Sequence, residues 1–317
     1  ATEFLLSDPD FLLRVTRDPV GADAGEVYRL SDLDIASRLS FFLWSSIPDE
    51  ELLDLAERGQ LTNPEIREEQ VRRMLADPRA VDALVDGFAA QWLNVRRVGE
   101  VVVDPLVYPN FDESLLEAFQ RETELFVESL IRDDRSVADL LSADFTYANE
   151  RLAAHYGIPG VYGSHFRRVA LDGELAERRG GILGHGSLLT VTSYPNRTSP
   201  VLRGKWVLTN ILGTPPRPPP ADVPDLPDRG AAGEAATIRD RLAQHRESPA
   251  CAGCHAPMDP LGFALENYDA IGRWRTTGEA DLPIDASGLL PDGTEFNGPG
   301  GLRALLLERR EQFVSTV

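Results

Sequence analysis

The residues richest in chemistry are Cys251, Cys254 and His255, in the run Cys251, Ala252, Gly253, Cys254, His255. CxxCH is the attachment sequence of c-type haem. On one helical turn the two thiols reach the two vinyl groups at a porphyrin edge. The adjoining imidazole then lies beneath the plane and binds iron as the proximal ligand. The chain has two cysteines in all, so both are committed to this pattern. The spacing implies one covalent haem c per chain, anchored by Cys251 and Cys254, with His255 on the metal. Three other chemistries use the same residue types. A redox dithiol belongs at a strand-turn-helix junction, whereas a polar helix and Glu-Ser-Pro-Ala precede Cys251. Zinc needs a fourth ligand and a tetrahedron that the adjacent Cys254 and His255 close badly. A structural disulfide over so short a loop gains little and leaves His255 unexplained.

A soluble electron carrier completes its iron with a sixth ligand, commonly Met or His. The methionines are Met74 and Met258. Met258 lies on the same side of the attachment turn as His255, which suits packing against the porphyrin edge. Met74 shares a helical stripe with Val71, which suits a core. His185, flanked by Gly184 and Gly186, is the distal metal-ligand candidate, because small neighbours allow a flat ring to approach. If no side chain fills that position, the iron is open to peroxide, oxygen or a substrate. Haem propionates attract Arg forks and Trp or Tyr donors. Arg197, Arg203 and Trp206 are the cofactor-binding candidates, with Arg273 and Trp274 beside them. The run from Tyr194 to Trp206 thus reads as a propionate clamp or a substrate rim; the competing reading makes Arg203 and Lys205 solvated helix charges. Ser248 and Pro249 suit the start of a short helix that Pro257 ends, and Asp259 then caps the next one, LGFALENYD.

The elements that must position these groups are helical. Leu33, Ala36, Leu39, Ser40 and Leu43 form one stripe, with Ser31 or Asp32 at its start. Further helices are expected from Ser46 to Gly59, 63 to 75 and 79 to 93. The longest amphipathic run, FDESLLEAFQRETELFVESLIRD, places Leu115, Phe119, Thr123, Phe126 and Leu130 on one side. Trp44, Trp92, Phe41, Phe88 and Phe126 read as core aromatics. From Gly157 the composition turns to glycine, proline and short β-like runs such as FRRVAL. A helix is expected from Pro200 to Leu212, then an extended proline-rich strap from Pro215 to Pro227, then a short helix before Cys251. DASGLLPDGTEFNG suggests a hairpin. The expected fold is mainly α: residues 1–27 as the tail end of a preceding domain, 28–157 as a helical domain, and 158–317 as an irregular, Gly- and Pro-rich haem-c-like domain with few short strands. Residue 1 is not Met and the end carries no closing pattern, so the chain is expected to be a piece of a longer protein.

The composition bounds the function. At 317 residues with 42% hydrophobic content the chain can bury a real core, and no run of about 18 apolar residues suggests a membrane span. A formal charge of −19 repels phosphate backbones, which argues against nucleic-acid binding and suits docking to a basic redox partner. No phosphate-cradling glycine loop, dinucleotide fingerprint or nucleophile elbow is present.

Three long stretches carry a resemblance: CxxCH followed by MDPLGFALENYDAIGRWR, SYPNRTSPVLRGKWVLTNILGTPPRPPPADVPDL upstream, and YRLSDLDIASRLSFFLWSSIPDEELL near the start. From about Tyr28 to its end the chain resembles the planctomycete-type cytochrome c domain proteins, large multidomain bacterial proteins built of domains of unknown function. The resemblance implies an exported, haem-bearing redox protein placed in the periplasm or cell envelope, where thioether attachment occurs. Three readings follow: an electron carrier with six-coordinate iron and a redox partner protein or domain, a haem enzyme of peroxidase or oxidative type with an open coordination site, and a non-haem scaffold stapled by a disulfide or metal.

Overall fold

Side-chain caps start most of the helices, as the local sequence dictates. The computed structural model describes residues 4, 6–12, 21, 23, 25–218, 237–278 and 281–317. Beyond residue 218 the expected proline-rich strap lies outside the described residues. The fold is mainly α, with few short strands in two two-stranded sheets. Two compact units divide at Gly87, Ala1–Gly87 and Phe88–Val317, whereas the composition changes at Gly157.

In the first unit, α1 (Asp32–Trp44) is capped by Ser31, α2 (Glu50–Glu57) by Asp49, and α3 (Pro64–Ala76) by Asn63 with Pro64 at its first turn. Asp77 caps the short α4 (Pro78–Asp82). Ala36, Leu43, Trp44, Leu52, Ala56, Leu61, Met74 and Ala80 form the core. Trp44 Nε1 donates to the Met74 carbonyl at 3.0 Å, and the Arg79 guanidinium lies 3.7 Å over the indole ring. Trp44 and Phe126 are buried as expected, but Phe41 and Phe88 are 41% and 43% exposed. Phe41 falls off the stripe that Ala36, Ser40 and Leu43 bury.

The second unit is built on α5 (Glu113–Arg132), whose buried face carries Leu115, Ala118, Phe119, Glu122, Thr123, Phe126 and Leu130 at helical spacing. β1 (Phe145–Ala148) packs on it and pairs antiparallel with β2 (Arg167–Ala170), the FRRVAL run, in the register Phe145↔Ala170. α6 (Glu150–Tyr156) and α8 (Gly186–Val191) also pack on α5, and α7 (Gly173–Arg179) lies between them in the chain. The rest of the unit holds α9 (Pro200–Trp206), α10 (Ile238–His245), α11 (Pro249–Phe263), and the hairpin of β3 (Ser287–Leu289) and β4 (Glu295–Asn297), followed by α12 (Gly298–Glu308), which packs on α7, and α13 (Arg310–Thr316). The expected helix to Leu212 continues past α9 as a wider π turn, Val207–Ile211. No helix among the described residues is long and apolar enough to cross a membrane.

The core along α5 contains a polar cluster. Glu122, 1% exposed, accepts hydrogen bonds from Thr146 Oγ1 and the Tyr156 hydroxyl, both at 2.6 Å, while the backbone N–H of Gly186 donates to Tyr156 at 2.7 Å. Burial pushes the Glu122 carboxyl up to about 7 against the pull of these bonds and of Arg179. His155 Nε2 lies 2.7 Å from the Ile271 carbonyl, and His185 Nδ1 lies 3.0 Å from Thr123 Oγ1. The other nitrogen of each ring is buried without a hydrogen-bond partner. Desolvation lowers both imidazoles to about 3.

These shifts set a pH dependence. Below pH 6.5 the unfolded chain protonates both imidazoles while the native state keeps them neutral, so stability falls as pH drops toward 3. Glu122 acts oppositely, its contribution declining as pH rises from 4.5 to about 7. Two imidazoles outweigh one carboxyl, so from pH 6.5 to 4.5 the unit should lose about 1 kcal/mol per pH unit, and about 3 below that. Urea unfolding at a series of pH values measures this. A midpoint that stays constant across the upper interval would mean that the buried rings are already charged in the native protein.

Candidate haem-attachment site

The site is one helix and what it leans on. Pro249 occupies the first turn of α11, where a missing N–H costs nothing, and Cys251, Cys254 and His255 follow within one turn. Both thiols are free and half-buried. Pro257 does not end this helix, contrary to the sequence reading; it continues through Pro257 and Pro260 to Phe263. Each proline deprives the carbonyl four residues earlier of its partner. Those carbonyls belong to Gly253, which is exposed, and Ala256, which is half-buried, so water can replace the lost bonds.

The longer helix changes the role of Asp259. It caps no new helix but sits one turn after His255 on the same face, completely buried, with Oδ1 2.9 Å from His255 Nδ1. A proximal histidine is oriented in this way when its second ring nitrogen donates to a carboxylate, which leaves Nε2 as the metal-facing atom. Asp259 Oδ2 is buried with no hydrogen-bond partner, and its nearest cation is Arg246 Nε at 3.7 Å. His245, the last residue of α10, sets its ring edge-on to His255 with centroids 4.9 Å apart. Sequence reasoning missed His245, Arg246 and the role of Asp259. The four-residue spacing from His255 to Asp259 was the available signal for the last.

Two thiols and an imidazole with its Nδ1 engaged are the donor set that haem c requires, so these residues fit that group. A zinc site is not gathered: among the described residues no three His, Cys, Asp or Glu side chains converge as a metal-binding group.

The helix is held by α9. The two backbones meet at Gly204, where a methyl group would collide with the Met258 carbonyl, and at Gly262, where it would collide with the Pro200 carbonyl. Met258 is buried at this crossing, and Met74 is buried in the core of the first unit. Arg203, on α9, is 0% exposed. Its Nη1 donates to the Leu265 carbonyl at 2.7 Å, the Tyr268 carbonyl at 2.9 Å and Glu266 Oε1 at 3.1 Å, and its Nη2 donates to the Asp269 carbonyl at 2.8 Å. Burial lowers the pKa of this guanidinium, and Glu266 opposes the shift. The other oxygen of Glu266 accepts from Thr198 at 2.6 Å and Arg275 at 3.2 Å.

Arg203 is therefore not a solvated helix charge: its Nη groups are held by the 265–269 loop and Ser193, while its Nε is buried without a hydrogen-bond partner. Trp206 is buried on the same helix, its Nε1 without a partner. Arg197 is exposed and lies 4.3 Å over the Tyr194 ring. Arg273 is exposed, while Trp274 packs edge-on against Tyr268 beneath Arg178. His185 stands apart from this arrangement: its hydrogen-bond and ring partners are Thr123 and Phe126 of α5.

Two family models match the chain. Residues 30–158 match PSD4, a protein of unknown function (DUF1592), and residues 179–278 match PSCyt3, a protein of unknown function (DUF1588). Both are planctomycete cytochrome-type domains of unknown function. No curated protein and no solved structure matches.

Two substitutions test the support. Arg203→Met leaves Glu266 Oε1 and the carbonyls of Leu265, Tyr268 and Asp269 without their buried donor, while Arg275 still pairs Oε2, and should cost about 3 kcal/mol. Gly204→Ala forces two backbones apart and should cost about 1–3 kcal/mol. Chemical denaturation of each variant reads both; a loss below about 1 kcal/mol in Arg203→Met would show that water replaces the guanidinium.

Proposed function

We propose that residues 88–317 bind one covalent haem c, with Cys251 and Cys254 as thioether anchors and His255 as proximal ligand, and that the chain transfers electrons within a larger exported protein. The observation that carries this reading is the pair of half-buried free thiols one helical turn apart, next to an imidazole whose Nδ1 is held by Asp259. Such a ring presents Nε2 without needing to reorient. The cytochrome-type name of the family matched over residues 179–278 supports the same reading. Haem c, when bound, supplies a one-electron iron couple. The protein's part is to fix the anchors on α11 and to keep α11 rigid against α9.

The strongly negative charge suits docking to a basic redox partner. Thioether attachment places the protein in the periplasm or cell envelope. A second reading, an oxidative haem enzyme with an open iron face, draws on the methionines: Met74 is enclosed in a separate core, and Met258 shares the helix of His255. Under this reading Arg197 and Tyr194, exposed and stacked on each other, would line the open side.

The test is expression with export in a host that matures c-type cytochromes, followed by absorption spectra and a pyridine haemochrome assay after acid-acetone extraction. Haem should stay on the polypeptide and be lost in Cys251→Ala, Cys254→Ala. Low-spin iron would select the carrier, and high-spin iron that binds carbon monoxide quickly would select the enzyme. A colourless protein, matured beside a red positive control, would refute both.

A further inference from the structure

We infer that Asp259 acts as an electronic positioning residue: through the Nδ1–H of His255 its buried carboxylate makes the imidazole a stronger donor and biases the bound iron toward its oxidised state. This inference rests on the haem reading above and adds a role for a residue outside the attachment motif.

Three observations carry it. The contact is short and fixed, 2.9 Å between side chains one turn apart on a single helix. The carboxylate has no exposure to water, and its second oxygen has no hydrogen-bond partner. Its nearest cation, Arg246, is 3.7 Å away, beyond hydrogen-bond distance, and is itself 27% exposed, so that its charge is partly screened by solvent.

Orientation alone does not require this arrangement. A neutral acceptor would hold the ring equally well, without the cost of burying a carboxylate whose second oxygen is unbonded. Asp is also a poor residue for a helix interior. What a carboxylate adds is negative charge in line with the ring. The oxidised iron carries one more positive charge than the reduced iron, and in a weakly screened interior that difference favours the oxidised form. Carboxylate partners behind ligating histidines raise ligand basicity in the same sense.

The experiment is a redox titration of the haem-loaded protein and two variants. Asp259→Asn keeps an oxygen to accept from Nδ1–H and removes the charge. At the wild-type midpoint its oxidised-to-reduced ratio should fall at least tenfold, an upward shift of about 59 mV for one electron. Arg246→Gln removes the distant cation and should move the ratio the other way, by roughly threefold. If Asp259→Asn does not retain haem, the Arg246→Gln shift decides. Loaded wild type and variants with midpoints that agree within twofold in this ratio would overturn the role of Asp259 while leaving the haem reading intact. A wild type that takes up no haem would overturn both.

Discussion

The cysteine-bearing helix α11 is held where it is by one buried ion pair. Arg203, without contact to water, holds Glu266 and the carbonyls of Leu265, Tyr268 and Asp269 at once. These groups follow directly on the end of α11, so the guanidinium fixes where that helix stops and how the chain turns back. A buried ion pair contributes little net stability over an apolar substitute, but losing one partner is costly. Its value here is geometric. With the loop pinned, Gly204 and Gly262 can bring two backbones into contact, and the cysteines gain a rigid base.

The same ion pair explains why two stretches of sequence, one running through Tyr194 to Trp206 and the other through Met258 to Arg275, stand out together. They form a single structural joint. Thr198 and Arg275 complete the coordination of Glu266, and each stretch supplies groups that the other needs.

Some of this was legible in the sequence and some was not. The Pro249 start, the hairpin at 287–297 and the stripe of α5 follow from residue type and spacing. Asp259 did not, because Pro257 reads locally as a stop, and only tertiary packing shows that the helix survives two missing hydrogen bonds. Arg203 was legible as a cation but not as a buried one, since burial of a guanidinium depends on acceptors 62 to 66 residues away. The exposure of Phe41 follows from phase rather than composition. His185 shows a further limit. Its glycine neighbours do allow close approach, but the group that approaches is Phe119, against which Gly186 packs, and the imidazole turns into a cluster with Thr123.

The wide separation along the chain between Arg203 and its acceptors has a consequence for how the second unit assembles. The loop between them encloses α10 and α11, so the cysteine-bearing helix is formed inside a segment whose ends must first find each other. Closing such a loop sacrifices chain entropy before the ion pair and the glycine contact return anything. Native contacts of high sequence separation slow folding. Until closure, α11 has no α9 to lean on. The joint that makes α11 rigid is therefore also what delays its completion.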